Sequence, residues 1–403
     1  MYQWALIKGI HVISTGDFTH PAWFRELQDK LESDGNGLFR MKHTPTGALA
    51  GLPVDPEQPW LDSTKLKEID IRFMLSAEIS SVYHYGGKIH KNHNLVYAPD
   101  FSSVAWINKQ LSKYGDLSAD GRLTISLSSR DLLEIILETP GGKAFLVPAH
   151  AWDPWFSTLG SYDGYDSVDE CFRDLSSCIF AIETGLASDP AMNWRWSRLD
   201  RLTMLSGSDA HSPQKLGREA SLFSTARSYE AIFEAIKTQA GFLGTYESFP
   251  EEGQYYRDGH RDCGVCLSPE ESVAIGDRCP KCGRTLTIGV MQRIGKLADR
   301  QTPAKPEGAA SFRYIIPLSE ILAEMLETGV DAKQVMKAYA AAITGFGNES
   351  DLLQLAPIED LHRYDPLLAE AIRRMRNNEV IRQPGYDGVY GKISLFRGKP
   401  SLQ

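Results

Sequence analysis

The chain has 403 residues, of which 42% are hydrophobic, which is enough for a sizeable core and more than one domain of ordinary size. Its formal net charge of -9 argues against wholesale coating of nucleic acid, and no apolar run nears the roughly 20 residues that span a bilayer. The N-terminus has no charged-then-apolar leader; Cys171 and Cys178 lie in an apolar stretch and the other four cysteines are spaced for metal, so a reducing cytoplasm is expected.

In chain order, Ile10 to Ser14 reads as a strand, and Pro21 opens a helix with Trp23, Phe24, Leu27 and Leu31 on one face before Gly35 stops it. Residues 41 to 60, with Pro45, Pro53, Pro56 and Pro59, read as a long loop. Phe73 to Ile79 and Lys88 to Tyr97 are strands about a Gly86-Gly87 turn, followed by a helix carrying Val104, Ile107 and Leu111. Helix and strand then alternate: Asp131 to Glu138 (helix), Ala144 to Val147 (strand), Val168 to Ser176 (helix), Ile179 to Glu183 and Thr203 to Ser206 (strands). This alternation predicts an α/β barrel-like domain over residues 1–250. A turn-rich module follows over 251–305, and beyond the linker Thr302 to Pro306 a helical C-terminal region over 306–403, with Ile321, Leu322, Met325 and Leu326 as an apolar stripe.

Six sites in the first half place an acidic residue or histidine beside a strand-like run: Asp17 to His20, Glu78, His93, His150, Glu183, and Asp209 with His211. In a barrel of parallel strands such ends converge on one face, where they can share a polynuclear metal centre. Asp209 and His211, two apart in an extended segment, point to one side, and the two oxygens of Glu78 can bridge two ions. Asp209, Glu78 and His211 are therefore the expected catalytic residues, with His93 and His150 completing the shell. Divalent ions held so close acidify water and steady a phosphate ester, so phosphoester hydrolysis is the expected chemistry.

Cys263-Gly264-Val265-Cys266 and Cys279-Pro280-Lys281-Cys282 are two Cys-x-x-Cys knuckles, the spacing of a structural zinc ribbon with four thiolates and no open position. Residues 253 to 305 carry nine basic against six acidic side chains, and the last 33 carry seven against two, so any contact with a polyanion is expected there.

His93-Asn94-Leu95, Pro148-Ala149-His150 and Ser208-Asp209-Ala210-His211 resemble motifs of the PHP (polymerase and histidinol phosphatase) superfamily. Within it, the strings Gly16 to Pro21, Pro190 to Arg195, Ser208 to Glu219, the four-cysteine module and Pro384 to Lys392 resemble the endonuclease Q family, over nearly the whole chain. That resemblance implies a distorted seven-stranded β/α barrel with a trinuclear site of zinc, manganese or magnesium. It also implies nicking of DNA on the 5′ side of uracil, hypoxanthine and xanthine and at abasic sites. It makes Glu78, His93, His150, Asp209 and His211 metal ligands, with Asp17, His20 or both adding another. The family's opening His-x-His strand has no counterpart, since Met1 to Gly9 holds no histidine, which leaves either an internal start or a reduced metal site.

Base recognition calls for a pocket into which a nucleotide is flipped, and Trp152, Trp155, Phe156, Trp194, Trp196 and Asn193 lie near the proposed ligands without marking one. A sliding clamp suits a repair nuclease as partner, although no docking peptide stands out. A small-molecule phosphoesterase, or a DNA-binding protein without catalysis, are the alternatives.

Overall fold

The computed structural model describes residues 1–43, 69–119, 121–398 and 400 as a mixed α/β protein. Helix α1 (Tyr2–Lys8) ends on Gly9 in the left-handed region and leads into strand β1 (Val12–Ser14). Helix α2 (Pro21–Lys30) starts on Pro21, where a missing N–H costs nothing, and gives way to strands β2 (Leu31–Ser33) and β3 (Phe39–Met41). Met41 thus ends a strand, and the rest of the expected proline-rich loop, from residue 44 to 60, lies outside the described residues.

Strands β4 (Arg72–Tyr85) and β5 (Lys88–Ala98) pair from Leu75 opposite Ala98 to Tyr85 opposite Lys88. Gly86 and Gly87, with φ of 58° and 79°, make the two-residue turn that matches right-handed strand twist. Helix α3 (Phe101–Leu111), capped by Asp100, and α4 (Ser129–Leu137), capped by Ser128, flank strand β6 (Leu123–Ile125). β6 lies parallel to β4, and β7 (Phe145–Pro148) runs antiparallel to β5, giving a seven-stranded sheet in which β4 pairs with β1, β3, β5 and β6.

Helix α5 (Val168–Phe172), strand β8 (Ala181–Glu183), helix α6 (Pro190–Asn193) and strand β9 (Thr203–Leu205) follow, with β8 and β9 paired in parallel. Strand β10 (Ala220–Phe223), helix α7 (Tyr229–Thr238) and strand β11 (Phe242–Glu247) complete this half. Among the described residues these ladders stay separate from the seven-stranded sheet, so hydrogen bonding does not run around a closed ring.

The cysteine-bearing module contains the hairpin β12 (Asp258–His260) and β13 (Val265–Leu267) with helices α8 (Pro269–Ala274) and α9 (Val290–Leu297). Strand β14 (Ser311–Tyr314) then pairs with β11, so residues beyond the linker extend a sheet begun before it. Helices α10 (Leu318–Met325), α11 (Lys333–Phe346), α12 (Ile358–Tyr364) and α13 (Pro366–Arg376) follow, with a final hairpin of β15 (Ile381–Gln383) and β16 (Lys392–Ser394). No helix among the described residues is long and apolar enough to cross a membrane.

Two large cores result. One lies under the seven-stranded sheet and also takes in Val290 and Ile294 of α9; the other joins α10, α11 and α13 to Trp4 and Ile7 of α1. In the second core Lys8 pairs with Glu349 at 2.6 Å, both side chains nearly inaccessible to water. Glu349 also accepts from Leu318 N–H at 3.0 Å and from the Tyr339 hydroxyl, so both of its oxygens are satisfied. Glu349→Ala would strand the Lys8 ammonium and is expected to cost about 3–5 kcal/mol in chemical denaturation. Glu349→Gln, whose amide oxygen can still accept from Leu318, should cost clearly less.

Candidate metal centres

The hairpin register sets the first centre. Glu78 faces Leu95 and Ser80 faces His93 across the β4–β5 ladder, so Glu78 and His93 are diagonal neighbours on one face. β7 pairs with β5 up to Pro148, and Ala149 donates its N–H to the His93 carbonyl at 3.1 Å, which delivers His150 to the same place. His93 Nδ1 then lies 3.1 Å from Glu78 Oε1 and 3.1 Å from His150 Nε2, with 3.4 Å between the last two.

These donors fit a divalent ion. A tetrahedral ion with bonds of about 2.1 Å separates its ligand atoms by about 3.4 Å, close to the spacing found. Glu78 Oε1 is buried and has no hydrogen-bond partner, as an atom reserved for a metal would be. Ser157 donates to the His150 carbonyl at 2.7 Å, and its oxygen faces His150 Nδ1 at 2.9 Å, an arrangement that puts the ring proton on Nδ1 and leaves Nε2 to ligate.

The surroundings are anionic. Burial pushes the Glu183 carboxyl up to about 8, helped by Glu78 and Asp209, while its Oε2 accepts the His150 N–H at 2.9 Å. Burial would also raise Glu78, but the close His150 and His93 rings and the charge of Arg122 hold it below the usual carboxylate range. Burial lowers His93 and keeps its ring neutral. Burial disfavours charge on His150 too, yet Glu78, Asp153 and Glu183 carry it up to about 9. An ion among the three donors replaces the proton that these carboxylates otherwise draw onto His150.

The other expected ligands stand apart from this triad, since among the described residues only Glu78, His93 and His150 bring three donors together here. The Asp17 segment hangs on β4, with Gly16 N–H donating to Ser76 Oγ and Phe18 N–H to the Ser76 carbonyl, and Asp17 accepts from Thr19 at 2.7 Å. His20 occupies the N-cap of α2. Asp209 is exposed and within electrostatic reach of Glu183 and Asp153, and His211 is more exposed still, at 78%, with Nδ1 3.0 Å from the Asp209 carbonyl. Asp17, His150, Phe156 and Asp209 all have positive φ without being glycine, a conformation that costs strain. A Cβ on Gly185, itself at φ 68°, would sit 2.6 Å from that of His150, so only glycine admits this approach.

One participant lay outside the expected set. Arg122, just before β6, donates to His93 Nε2 at 3.1 Å and reaches Glu78 Oε2 at 2.8 Å. No motif marks it, because its place depends on the parallel pairing of β6 with β4. Among the aromatics, Trp152 and Asn193 are buried and bonded to each other, Nε1 to Oδ1 at 2.7 Å, which makes them structural. Phe156 covers the His93 ring at 4.8 Å, and Trp155 stacks on Tyr162 at 4.9 Å while remaining half-buried.

The second centre differs from four cysteines. The ligand atoms of Cys263, Cys279, Cys282 and His260 lie within 4.8 Å of one another, with Cys282 Sγ 3.7 Å from His260 Nδ1. Cys266 falls outside because it sits opposite Gly259 in the β12–β13 ladder, whereas His260 sits opposite Val265, and alternate strand residues face opposite ways. The sequence held a signal for this: His260-Arg261-Asp262-Cys263-Gly264 and Cys279-Pro280-Lys281-Cys282-Gly283 share one spacing, and both glycines are left-handed, with φ of 60° and 72°. The module is tied to the first centre by Arg293, which donates to the carbonyls of Leu159 and Tyr165 in the loop after His150. Asp387, in the C-terminal Pro384 to Lys392 string, accepts from Arg261 N–H and Thr287 of the module. Zinc analysis of purified variants should find one bound equivalent retained in Cys266→Ser and lost in both His260→Ala and Cys279→Ser.

Residues 192–240 match the family model described as PHP-associated, and residues 317–379 the one described as the MJ0043 C-terminal domain. Protein YqxK of Bacillus subtilis is 32% identical over 314 residues, covering 75% of this chain and 73% of that protein. Protein MJ0043 of Methanocaldococcus jannaschii is 30% identical over 254 residues, covering 61% of this chain but only 31% of its own length. The lesion-specific endonuclease PfuEndoQ of Pyrococcus furiosus superposes with a TM-score of 0.80 at 27% identity, covering 97% of this chain and 88% of that one. Endonuclease Q bound to a 27-mer duplex with an abasic lesion at its active site also gives 0.80, at 28% identity, covering 97% and 90%. The chain belongs to the endonuclease Q family.

Proposed function

We propose that this protein is a DNA repair endonuclease that hydrolyses the phosphodiester 5′ to deaminated bases and at abasic sites. The observation that carries this reading is the Glu78, His93 and His150 triad, whose spacing and orphaned Glu78 oxygen suit a divalent ion. The likeness to a solved endonuclease Q that holds a lesion duplex supports the choice of DNA as substrate. In this reading residues 1–250 form a PHP-type barrel, 251–305 a structural zinc ribbon and 306–403 a helical DNA-binding region, in a cytoplasmic, nucleoid-associated enzyme.

Zinc, manganese or magnesium held by the triad would supply positive charge to phosphate oxygens and acidify water near neutral pH. The chain's residues do the rest. Ser157 fixes the His150 ring, Phe156 screens one face of His93 from water, and Glu183 anchors the backbone at His150. Asp209, together with Asp17, His20 or His211, would complete the shells of further ions. The basic side chains of the ribbon and the C-terminal segment would hold the DNA backbone without reading its sequence.

The test is incubation with Mn²⁺ or Mg²⁺ and end-labelled duplex carrying one hypoxanthine, uracil or abasic site, beside an undamaged control. A nick just 5′ of the lesion is expected. Turnover of a free phosphomonoester with every duplex left intact would overturn the reading. Glu78→Gln and Asp209→Ala should each lower nicking by about 10²-fold or more while duplex binding is retained.

A further inference from the structure

The Pro384 to Lys392 string connects β15 to β16, and the fold holds its backbone more firmly than an exposed loop requires. Gly385 and Gly391 donate their N–H groups to the carbonyls of Glu251 and Glu252 at 2.8 and 3.0 Å, and Gly388 donates to that of Gln254 at 2.9 Å. A Cβ on Gly391 would lie 1.9 Å from the Glu251 carbonyl oxygen, so only glycine lets these backbones meet. Within the loop Tyr386 and Val389 exchange hydrogen bonds at 3.0 and 2.8 Å around Asp387 and Gly388, whose φ of 43° and 83° suit a tight primed turn. Both oxygens of Asp387 are taken up, one by Arg261 N–H and one by the Thr287 hydroxyl.

What this rigid frame presents to water is apolar. Val389 is 39% exposed and Tyr390 72%, the highest value for a large apolar side chain among the described residues. The neighbours indicate what covers them. Arg261 and Lys392 are exposed beside the loop, with Arg261 Nη1 3.2 Å from where a Cβ on Gly388 would stand, a setting that suits a polyanion. The Tyr255 hydroxyl lies 3.8 Å from the same point, and its ring packs on Trp155 at 5.2 Å. Trp155 is followed by Phe156, which covers the His93 ring, so aromatic side chains run from the loop tip to the first metal centre.

We propose that Tyr390, with Val389 beside it, is a wedge that enters the base stack of duplex DNA next to the lesion and fills the space left when the damaged nucleotide is turned out. An aromatic ring can replace a base in the stack whatever the sequence, because every base has a π-face. A loop already fixed in place loses little conformational freedom on insertion.

This rests on the reading of the protein as a nuclease acting on duplex DNA, and the test separates the two. The probe is a duplex with 2-aminopurine beside one uracil, the linkage 5′ to the uracil blocked as a methylphosphonate, in Mg²⁺. The unaltered chain should raise the 2-aminopurine fluorescence severalfold as the stack opens; Tyr390→Ala should lose most of that rise and Tyr390→Trp should keep it. On cleavable substrates Tyr390→Ala should lower kcat/KM about tenfold or more for a fully paired duplex. For a duplex whose uracil lies in a mismatched bubble, where no stack has to be opened, the loss should be no more than about twofold. No rise with the unaltered chain, a rise that survives in Tyr390→Ala, or equal losses on paired and bubble substrates would each overturn the proposal. An unaltered chain that cuts neither substrate would sink the nuclease reading, and the fluorescence would still decide the role of Tyr390.

Discussion

The site depends on the register of one hairpin. Gly86 and Gly87 fix the β4–β5 pairing, and that pairing makes Glu78 and His93 diagonal neighbours on a single face. A slip of one residue would turn His93 to the opposite face and leave Glu78 buried without either histidine. Everything else is referred to this ladder: β7 delivers His150 from one side, β6 delivers Arg122 from another, and the Asp17 turn hangs on Ser76 two residues before Glu78.

The energetic character of the centre follows from burial. Two carboxylates, Glu78 and Glu183, adjoin two histidines, with Asp209 within electrostatic reach, and burial raises the Glu183 carboxyl to about 8. Such a cluster is costly unless positive charge offsets it, a role that Arg122 and the His150 ring share and that a metal would take over. The positive φ values at His150 and Phe156 add a second cost beside the triad.

The cysteine-bearing module and the C-terminal segment are braced against the centre rather than trailing from it. Arg293 grips the loop that carries Ser157, and Asp387 fastens the Pro384 to Lys392 string to the module. Likewise α1 packs with the C-terminal helices, and the buried Lys8–Glu349 pair joins the start of the chain to residues more than 300 positions later. The division into consecutive modules read from composition is crossed by these contacts, and by β14 pairing with β11.

The sequence by itself determined the local elements and the kinds of chemistry. Alternating apolar runs, the Gly86-Gly87 turn and Pro21 act within a few residues, so they were legible without a fold. Glu78, His93 and His150 were legible too, because donors beside strand-like runs are rare enough to notice. Tertiary structure alone decided which donors meet. His260 rather than Cys266 joins the three cysteines because the pairing of β12 with β13 decides which way each side chain points. Arg122 enters the first centre because β6 lies beside β4. In both cases the deciding fact is the register between paired strands, which no single stretch of sequence displays.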